Sequence, residues 1–130
     1  MINVAIIDDN MILQMHLKKL FLTYSNIRSI NSFTSVEDAL EFFKETNEVD
    51  KLPDIILLDI NFPGLDGWDF LDEFEEIKKN IEKEISIYMI SSSIMDSDIE
   101  KSKAIELVKG FINKPISSSN LDDIKNFKNN

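Results

Sequence analysis

The stretch that decides the fold is residues 54–68, DIILLDINFPGLDGW. Residues 55–58 form an apolar run without polar alternation, which indicates a strand covered on both faces, as in a parallel sheet. Asp59 ends this run, and the proline and two glycines that follow predict a turn of the backbone. Because open parallel sheets bind ligands at the carboxyl edge of their strands, Asp59 is the first candidate site residue.

Four more predicted strands and five predicted helices alternate along the chain. Apolar runs predict strands at residues 2–7, 27–33, 85–90 and 111–113. Helical spacing predicts helices at residues 11–22, 35–46, 70–79 and 96–107, the last of these ended by Gly110, and a final helix with Leu121, Ile124 and Phe127 facing inward. This alternation predicts an α/β fold with a parallel sheet, right-handed crossovers and helices on both faces.

The first predicted helix has two polar residues whose placement bears on the site. Its apolar spacing puts Gln14 on the polar face, opposite Leu13 and Leu17. His16, the only histidine, falls at the margin of the apolar face. We therefore expect Gln14 to be solvated and His16 to have a structural role.

Composition limits the class of protein. With 130 residues, 43% of them hydrophobic, the chain fits one domain spanning residues 1–130. A formal net charge of -10 argues against direct binding to nucleic acid and to anionic membranes, because both need a basic patch. There are no cysteines, so disulfides and thiol chemistry are excluded. The N-terminal residues do not resemble a signal peptide and no apolar run is long enough to span a membrane, so we expect a cytoplasmic protein.

Four predicted strands each bring a chemically capable group to the same edge of the sheet. These groups are Asp8 and Asp9, Asp59, Ser91 and Lys114. Three unpartnered carboxylates would repel one another, and an oxygen-only cluster suits a hard cation such as Mg²⁺. One carboxylate could then attack a phosphoryl group whose oxygens are held by the cation, an ammonium and a hydroxyl. The pattern therefore predicts aspartyl-phosphate chemistry.

Taken together, these motifs resemble the receiver domains of two-component response regulators over nearly the whole chain. The resemblance rests on Asp8-Asp9, on the DIILLD segment ending at Asp59, on PGLDG at residues 63–67, on a hydroxyl residue after the fourth strand, and on Lys114-Pro115. It implies a flavodoxin-like, doubly wound sandwich of three layers and five βα units, with sheet order 2-1-3-4-5.

The resemblance also implies a role for each acidic or basic residue at this edge. Asp59 would accept the phosphoryl group and would join Asp8 and Asp9 in binding Mg²⁺. Asn61 would lend its backbone carbonyl to the metal. Lys114 would contact the phosphoryl group.

A second set of residues would respond to phosphorylation, by the same resemblance. Ser91, directly after the fourth strand, would be the switch hydroxyl, with Ser92 as the alternative. Phe111 would be the switch aromatic. The side chains of Asn61 and Ser93 would influence the rate at which the phosphoryl group is hydrolysed.

The function implied is that of a stand-alone receiver that catalyses only its own phosphotransfer and autodephosphorylation. Its phosphoryl donor would be a sensor histidine kinase or a histidine phosphotransfer protein. Since the last predicted helix occupies residues 118–130, we expect no output domain. The signal would then leave through contact with a downstream protein target, or by onward phosphotransfer, and not through DNA.

Two other classes of protein share part of this pattern. A phosphatase of the haloacid dehalogenase type also phosphorylates a strand-end aspartate, but it needs a second acid two residues later, where this chain has Asn61. A pseudo-receiver that acts only as an interaction surface has no need of three converging carboxylates. Considered alone, Asp8-Asp9 also fits a helix cap, and Lys114 fits a solvated lysine.

Overall fold

The computed structural model describes residues 1–124, 127 and 128, and its strands and helices alternate as predicted. The strands are β1 (Ile2–Ile7), β2 (Ile27–Phe33), β3 (Ile55–Asp59), β4 (Ser86–Ser91) and β5 (Val108–Asn113). The helices are α1 (Met11–Phe21), α2 (Val36–Glu45), α3 (Gly67–Lys78), α4 (Asp96–Ser102) and α5 (Ser118–Asp122), with a short 3₁₀ turn at Val49–Lys51. No helix among the described residues is both long and apolar enough to cross a membrane.

The five strands form one parallel sheet in the order β2-β1-β3-β4-β5. This order confirms the predicted flavodoxin-like, doubly wound fold. The strand β3 lies in the middle of the sheet, and all five of its residues are buried. An apolar run without alternation is suited to this position, since both of its faces are covered.

The core lies on both faces of the sheet because successive side chains of β3 alternate between them. Leu57 belongs to a buried cluster with Leu17 of α1 and Leu121 of α5. Leu58 belongs to a second buried cluster, which includes Phe74 of α3. The carboxyl edge of the sheet is thus framed by helices from both layers.

The starts of three helices are determined by polar side chains that satisfy free backbone N–H groups. Asn10 Oδ1 accepts hydrogen bonds from the backbone nitrogens of Ile12 and Leu13 at the start of α1. Ser35 caps α2, and Asp66 caps α3 in a reciprocal arrangement with Asp69. Asn10, rather than the acidic pair before it, therefore provides the cap of α1.

The prediction for α4 and β5 is wrong in its boundaries. The helix α4 ends at Ser102 instead of residue 107, and none of its residues is buried. Gly110 lies inside β5, opposite Tyr88 of β4, because the ladder of β4 and β5 already begins at Val108. An added Cβ on Gly110 would contact the Tyr88 ring at 3.4 Å, so the small residue fits beside an aromatic strand neighbour.

The last helix is also shorter than predicted, since α5 ends at Asp122. Ile124 and Phe127 lie beyond the helix but are buried, as their apolar character indicates. Residues 125, 126, 129 and 130, which the prediction included in this helix, lie outside the described residues.

Candidate functional site

The fold brings the predicted site residues together at the carboxyl edge of the sheet. Asp8 follows β1, Asp59 is the last residue of β3, Ser91 is the last residue of β4, and Lys114 follows β5. The register places Asp59 beside Ile90, directly before Ser91. A backbone hydrogen bond of 2.9 Å from Lys114 N to Ser91 O continues the pairing of β4 and β5 past the strand end.

Three carboxylates form the centre of the site. Asp8, Asp9 and Asp59 each offer an oxygen, and these oxygens lie within 4.8 Å of one another. Asp8 is fully buried and Asp59 is 4% exposed, whereas Asp9 faces solvent. Asp8 Oδ1 accepts a hydrogen bond of 2.8 Å from the backbone nitrogen of Asn10, which holds the first acid of the pair in place.

Lys114 supplies the positive charge of the site. Its Nζ lies 2.7 Å from Asp8 Oδ2 and 3.4 Å from Asp59 Oδ1. The peptide bond to Pro115 is cis. One ammonium therefore contacts two of the three carboxylates, and its single positive charge can compensate only one of their three negative charges.

Burial and the neighbouring charges together shift the pKa values of two groups in the site. Burial raises the pKa of Asp59, the charge of Asp8 raises it further, and Lys114 and the Asn61 backbone N–H only partly offset these effects. Burial tends to lower the pKa of Lys114, but its hydrogen bond to Asp8 and the charges of Asp8 and Asp59 raise it overall. Lys114 is thus protonated at neutral pH, whereas ionisation of Asp59 is less favourable than ionisation of an exposed aspartate.

The chemistry of the donor set fits Mg²⁺. The cluster offers carboxylate oxygens only, and its excess negative charge matches a divalent cation. Asp8 and Asp59 both contact Lys114, and the exposed Asp9 leaves one side open to water, which Mg²⁺ retains in its coordination shell.

A second group of polar contacts joins β3 to β4 beside the carboxylates. The backbone nitrogen of Asn61 donates to Asp59 Oδ1 at 3.2 Å, and its side-chain Nδ2 donates to Ser91 Oγ at 3.3 Å. The Ser91 hydroxyl also donates to Ser93 O at 3.2 Å and accepts from Ser93 N at 3.1 Å. Ser91 is buried and Ser92 is exposed, so the geometry favours Ser91 over Ser92 as the hydroxyl nearest the site.

Phe111 lies apart from the carboxylates, in the middle of β5. It pairs with Met89 of β4 and is half-buried against the cluster that includes Phe74. Asn113, two residues further on, pairs with Ser91. Phe111 and the Ser91 hydroxyl are therefore on adjacent strands, at different distances from the edge.

Two residues support the site in ways that the sequence did not predict, although the turn containing one of them, Gly67, was predicted. Gln14 is buried, with 2% exposure, although its spacing predicted a solvated position. Gly67 packs so closely on the end of β3 that an added Cβ would lie 2.5 Å from Asp59 O. The glycine pattern after Asp59 was a signal for Gly67, whereas the helical spacing of α1 contains no signal for Gln14.

His16, for which a structural role was expected, contacts the backbone at the carboxyl edge of the sheet. Its Nε2 lies 3.0 Å from Ile116 O, although the side chain is largely exposed. This contact joins α1 to the segment that follows Lys114.

Comparison with known proteins agrees with this geometry. The sequence matches the response regulator receiver domain over residues 4–125. The chain belongs to this family. As a receiver domain it is similar to a solved two-component response regulator from Cytophaga hutchinsonii, with a TM-score of 0.85 and 27% identity over 95% of this chain and 93% of that one.

Two curated relatives are longer proteins. A protein-glutamate methylesterase/protein-glutamine glutaminase of Burkholderia thailandensis is 31% identical over 88% of this chain and 29% of its own length. The nitrate/nitrite response regulator NarL of Escherichia coli K12 is 28% identical over 68% of this chain and 38% of its own length. This receiver domain therefore spans roughly a third of the curated relatives that it matches.

Proposed function

We propose that this receiver domain is a phosphorylation-operated switch in which Asp59 accepts the phosphoryl group. The observation that supports this most strongly is the position of the Asp59 carboxylate. It is buried at a strand end, 3.4 Å from the Lys114 ammonium and within 4.8 Å of two further carboxylates. A nucleophile and the charges that would stabilise a phosphoryl group thus occupy one place.

Asp59 is the nucleophile of the proposed step. One carboxylate oxygen attacks the phosphorus of the donor, a P–O bond forms, and the donor leaves with the electron pair of its bond to phosphorus. In acetyl phosphate the leaving group is acetate, so no proton needs to move. In a histidine kinase or a phosphotransfer protein, the bond that breaks is the P–N bond of a phosphohistidine.

Lys114 and the acidic pair would prepare Asp59 for this attack. Because burial and Asp8 raise the pKa of Asp59, its reactive ionised form depends on nearby positive charge. When bound by Asp8, Asp9, Asp59 and the Asn61 carbonyl, Mg²⁺ would supply such charge and polarise the phosphoryl oxygens. The Lys114 ammonium lies close enough to Asp59 to contact a phosphoryl oxygen there.

Ser91 would transmit the change in charge. Its hydroxyl has a single hydrogen, which it donates to Ser93 O. A phosphoryl group on Asp59 adds acceptor oxygens. If Ser91 donates to one of them, it must release Ser93 O, and the segment after β4 can move. Phe111 on the adjacent strand would then repack, which makes the two strands a two-state element.

Receiver domains interact with histidine kinases and with downstream effectors. For this chain we propose a sensor histidine kinase or a phosphotransfer protein as donor, a protein as target, and catalysis of no reaction beyond its own phosphorylation and dephosphorylation. Asn61 and Ser93 would tune the lifetime of the phosphoryl group. The single-domain organisation and the cytoplasmic location expected from the sequence stay predictions.

Incubation with acetyl phosphate tests the proposal without any partner. In the presence of MgCl₂, the intact mass of the wild type should increase by one phosphoryl group. The increase should be absent when EDTA replaces MgCl₂, and absent in Asp59→Asn. Labelling that is equal in Asp59→Asn, or that does not need the cation, would refute the assignment.

A further inference from the structure

Gln14 contacts three backbone carbonyl groups next to the acidic pair. Its amide nitrogen lies 3.2 Å from Ile6 O, 3.1 Å from Asp8 O and 3.2 Å from Phe33 O. The nitrogen must occupy this position, because the amide oxygen would face three other acceptors there. A single side chain of α1 thus contacts the carboxyl ends of both β1 and β2.

The contact with Asp8 O bears directly on Asp9. The carbonyl group of Asp8 and the Cα atom of Asp9 belong to one rigid peptide plane. Asp8 N, on the other side of the same residue, donates to Phe33 O at 3.0 Å. With its nitrogen, its carbonyl oxygen and its carboxylate all engaged, Asp8 has little freedom to rotate the plane from which Asp9 projects.

We propose that Gln14 is a positioning residue for the metal-binding acids: it fixes the Asp8–Asp9 peptide plane and thereby sets the angle between the two carboxylates. This inference rests on the proposed function, since it assumes that both acids bind Mg²⁺. Mg²⁺ demands near-octahedral geometry, so a small rotation of Asp9 should weaken binding. Partners that orient metal ligands typically contribute about 10–100-fold in affinity.

Asn3 provides a matched control on the same strand. It is also 2% exposed, and its side-chain nitrogen donates to Asp50 O at 2.7 Å and to Leu52 O at 3.1 Å. Its oxygen accepts a hydrogen bond of 2.8 Å from Ser29 Oγ. Asn3 therefore connects β1 to neighbouring segments as Gln14 does, but at the amino end of the strand, at the opposite edge of the sheet from the site carboxylates.

The test compares Gln14→Met with Asn3→Leu. Within the described residues Gln14 Oε1 has no hydrogen-bond partner, so Gln14→Met removes the donors while keeping a similar volume. Both variants should be less stable than the wild type to urea. By calorimetric titration with MgCl₂ at constant ionic strength, Gln14→Met should bind the cation about tenfold more weakly. Asn3→Leu should bind it as the wild type does.

Two outcomes would overturn the inference while leaving the proposed function intact. In the first, Gln14→Met binds Mg²⁺ as tightly as the wild type. In the second, Asn3→Leu loses as much affinity as Gln14→Met, which would make the effect one of general stability. If the wild type itself does not bind Mg²⁺, the proposed function and the inference both fail.

A measurement on the wild type covers the case in which Gln14→Met does not fold. In NMR spectra recorded during the MgCl₂ titration, the side-chain amide signals of Gln14 should shift together with the backbone amide of Asp9, with the same midpoint. The side-chain amide signals of Asn3 should not move. Stationary Gln14 signals beside a shifting Asp9 amide would show that Gln14 is not coupled to the metal site.

Discussion

At the scale of single residues, the buried Asp59 carboxylate is the proposed phosphoryl acceptor, and its charge lowers the stability of the folded state. Its pKa in the folded chain is raised above 3.8 by burial and by the charge of Asp8. The unfolded chain therefore loses this proton at a lower pH than the folded chain. As a consequence, Asp59 lowers the stability of the folded state as the pH rises through the window that begins near 3.8 and ends at the raised pKa.

Asp59→Asn should accordingly stabilise the protein at neutral pH in the absence of Mg²⁺. The neutral amide removes a buried charge that Lys114 compensates only in part. Urea denaturation should give a higher midpoint for the variant at neutral pH, and the difference should shrink as the pH falls toward 3.8. Equal midpoints at neutral pH would mean that Lys114 fully compensates the charge.

At Gly67, close packing against the end of β3 leaves no room for a side chain. A Cβ at this position would lie 2.5 Å from Asp59 O and 3.1 Å from Ile60 Cα, and neither backbone atom can move aside freely. Gly67→Ala should therefore destabilise the fold by about 1–3 kcal/mol. Gly64 is the control, because its Cβ would meet nothing within 4 Å. Urea denaturation of the two alanine variants decides the matter, and equal stabilities would contradict the packing argument.

The residues of the site were predictable to the extent that they follow strands. Asp8, Asp59, Ser91 and Lys114 each come directly at a strand end, and parallel strands bring such positions to one edge. Gln14 was not predictable in this way. Helical spacing indicates the apolar face of α1, but it does not indicate that the Gln14 amide is buried against three backbone carbonyl groups at the strand ends.

At the scale of elements, the segment between β3 and α3 links the carboxylates to Trp68. Gly67 N donates to Ile60 O at 3.0 Å, and Trp68 follows in the first turn of α3. Lys101 of α4 lies over the Trp68 ring, 4.7 Å from its centroid. Because Trp68 is the only tryptophan, its fluorescence reports on this junction of β3, α3 and α4.

Titration with MgCl₂ should change the fluorescence of Trp68, since the cation would alter the charge and position of Asp59 at the start of this segment. The response should be largely lost in Asp9→Ala, because this variant would lack one of the few protein ligands proposed for the cation. Ionic strength must be held constant, so that screening of the net charge is not read as binding. If wild type and Asp9→Ala titrate alike, Asp9 does not hold the cation.

The sequence predicted the boundaries of α4, β5 and α5 less well than any other part of the fold. The helix α4 buries none of its residues, so no apolar stripe marks its end at Ser102. The start of β5 depends on backbone pairing with β4. The sequence does not indicate this pairing, because Gly110 is a poor strand former. The strands β1 and β3 were predicted well, since continuous burial leaves an apolar run in the sequence.

At the scale of the whole molecule, charge is distributed very unevenly along the chain. Residues 36–84 contain 16 acidic and 5 basic side chains, whereas the remaining residues contain 8 acidic and 9 basic ones. The excess negative charge thus belongs to the part of the chain that includes α2, β3 and α3. Asp59 therefore lies in the most acidic part of the chain, and a claim about its role needs a measurement that separates it from the other acidic residues.

The proposed function requires that one of the 24 acidic side chains, Asp59, is the phosphoryl acceptor. After treatment with acetyl phosphate and MgCl₂, reduction with borohydride converts an aspartyl phosphate to homoserine, and tandem mass spectrometry of the peptides locates it. We expect homoserine at position 59 alone. Homoserine at position 8 or 9, or at several acidic positions in similar yield, would contradict the assignment of Asp59 and with it the account of the site.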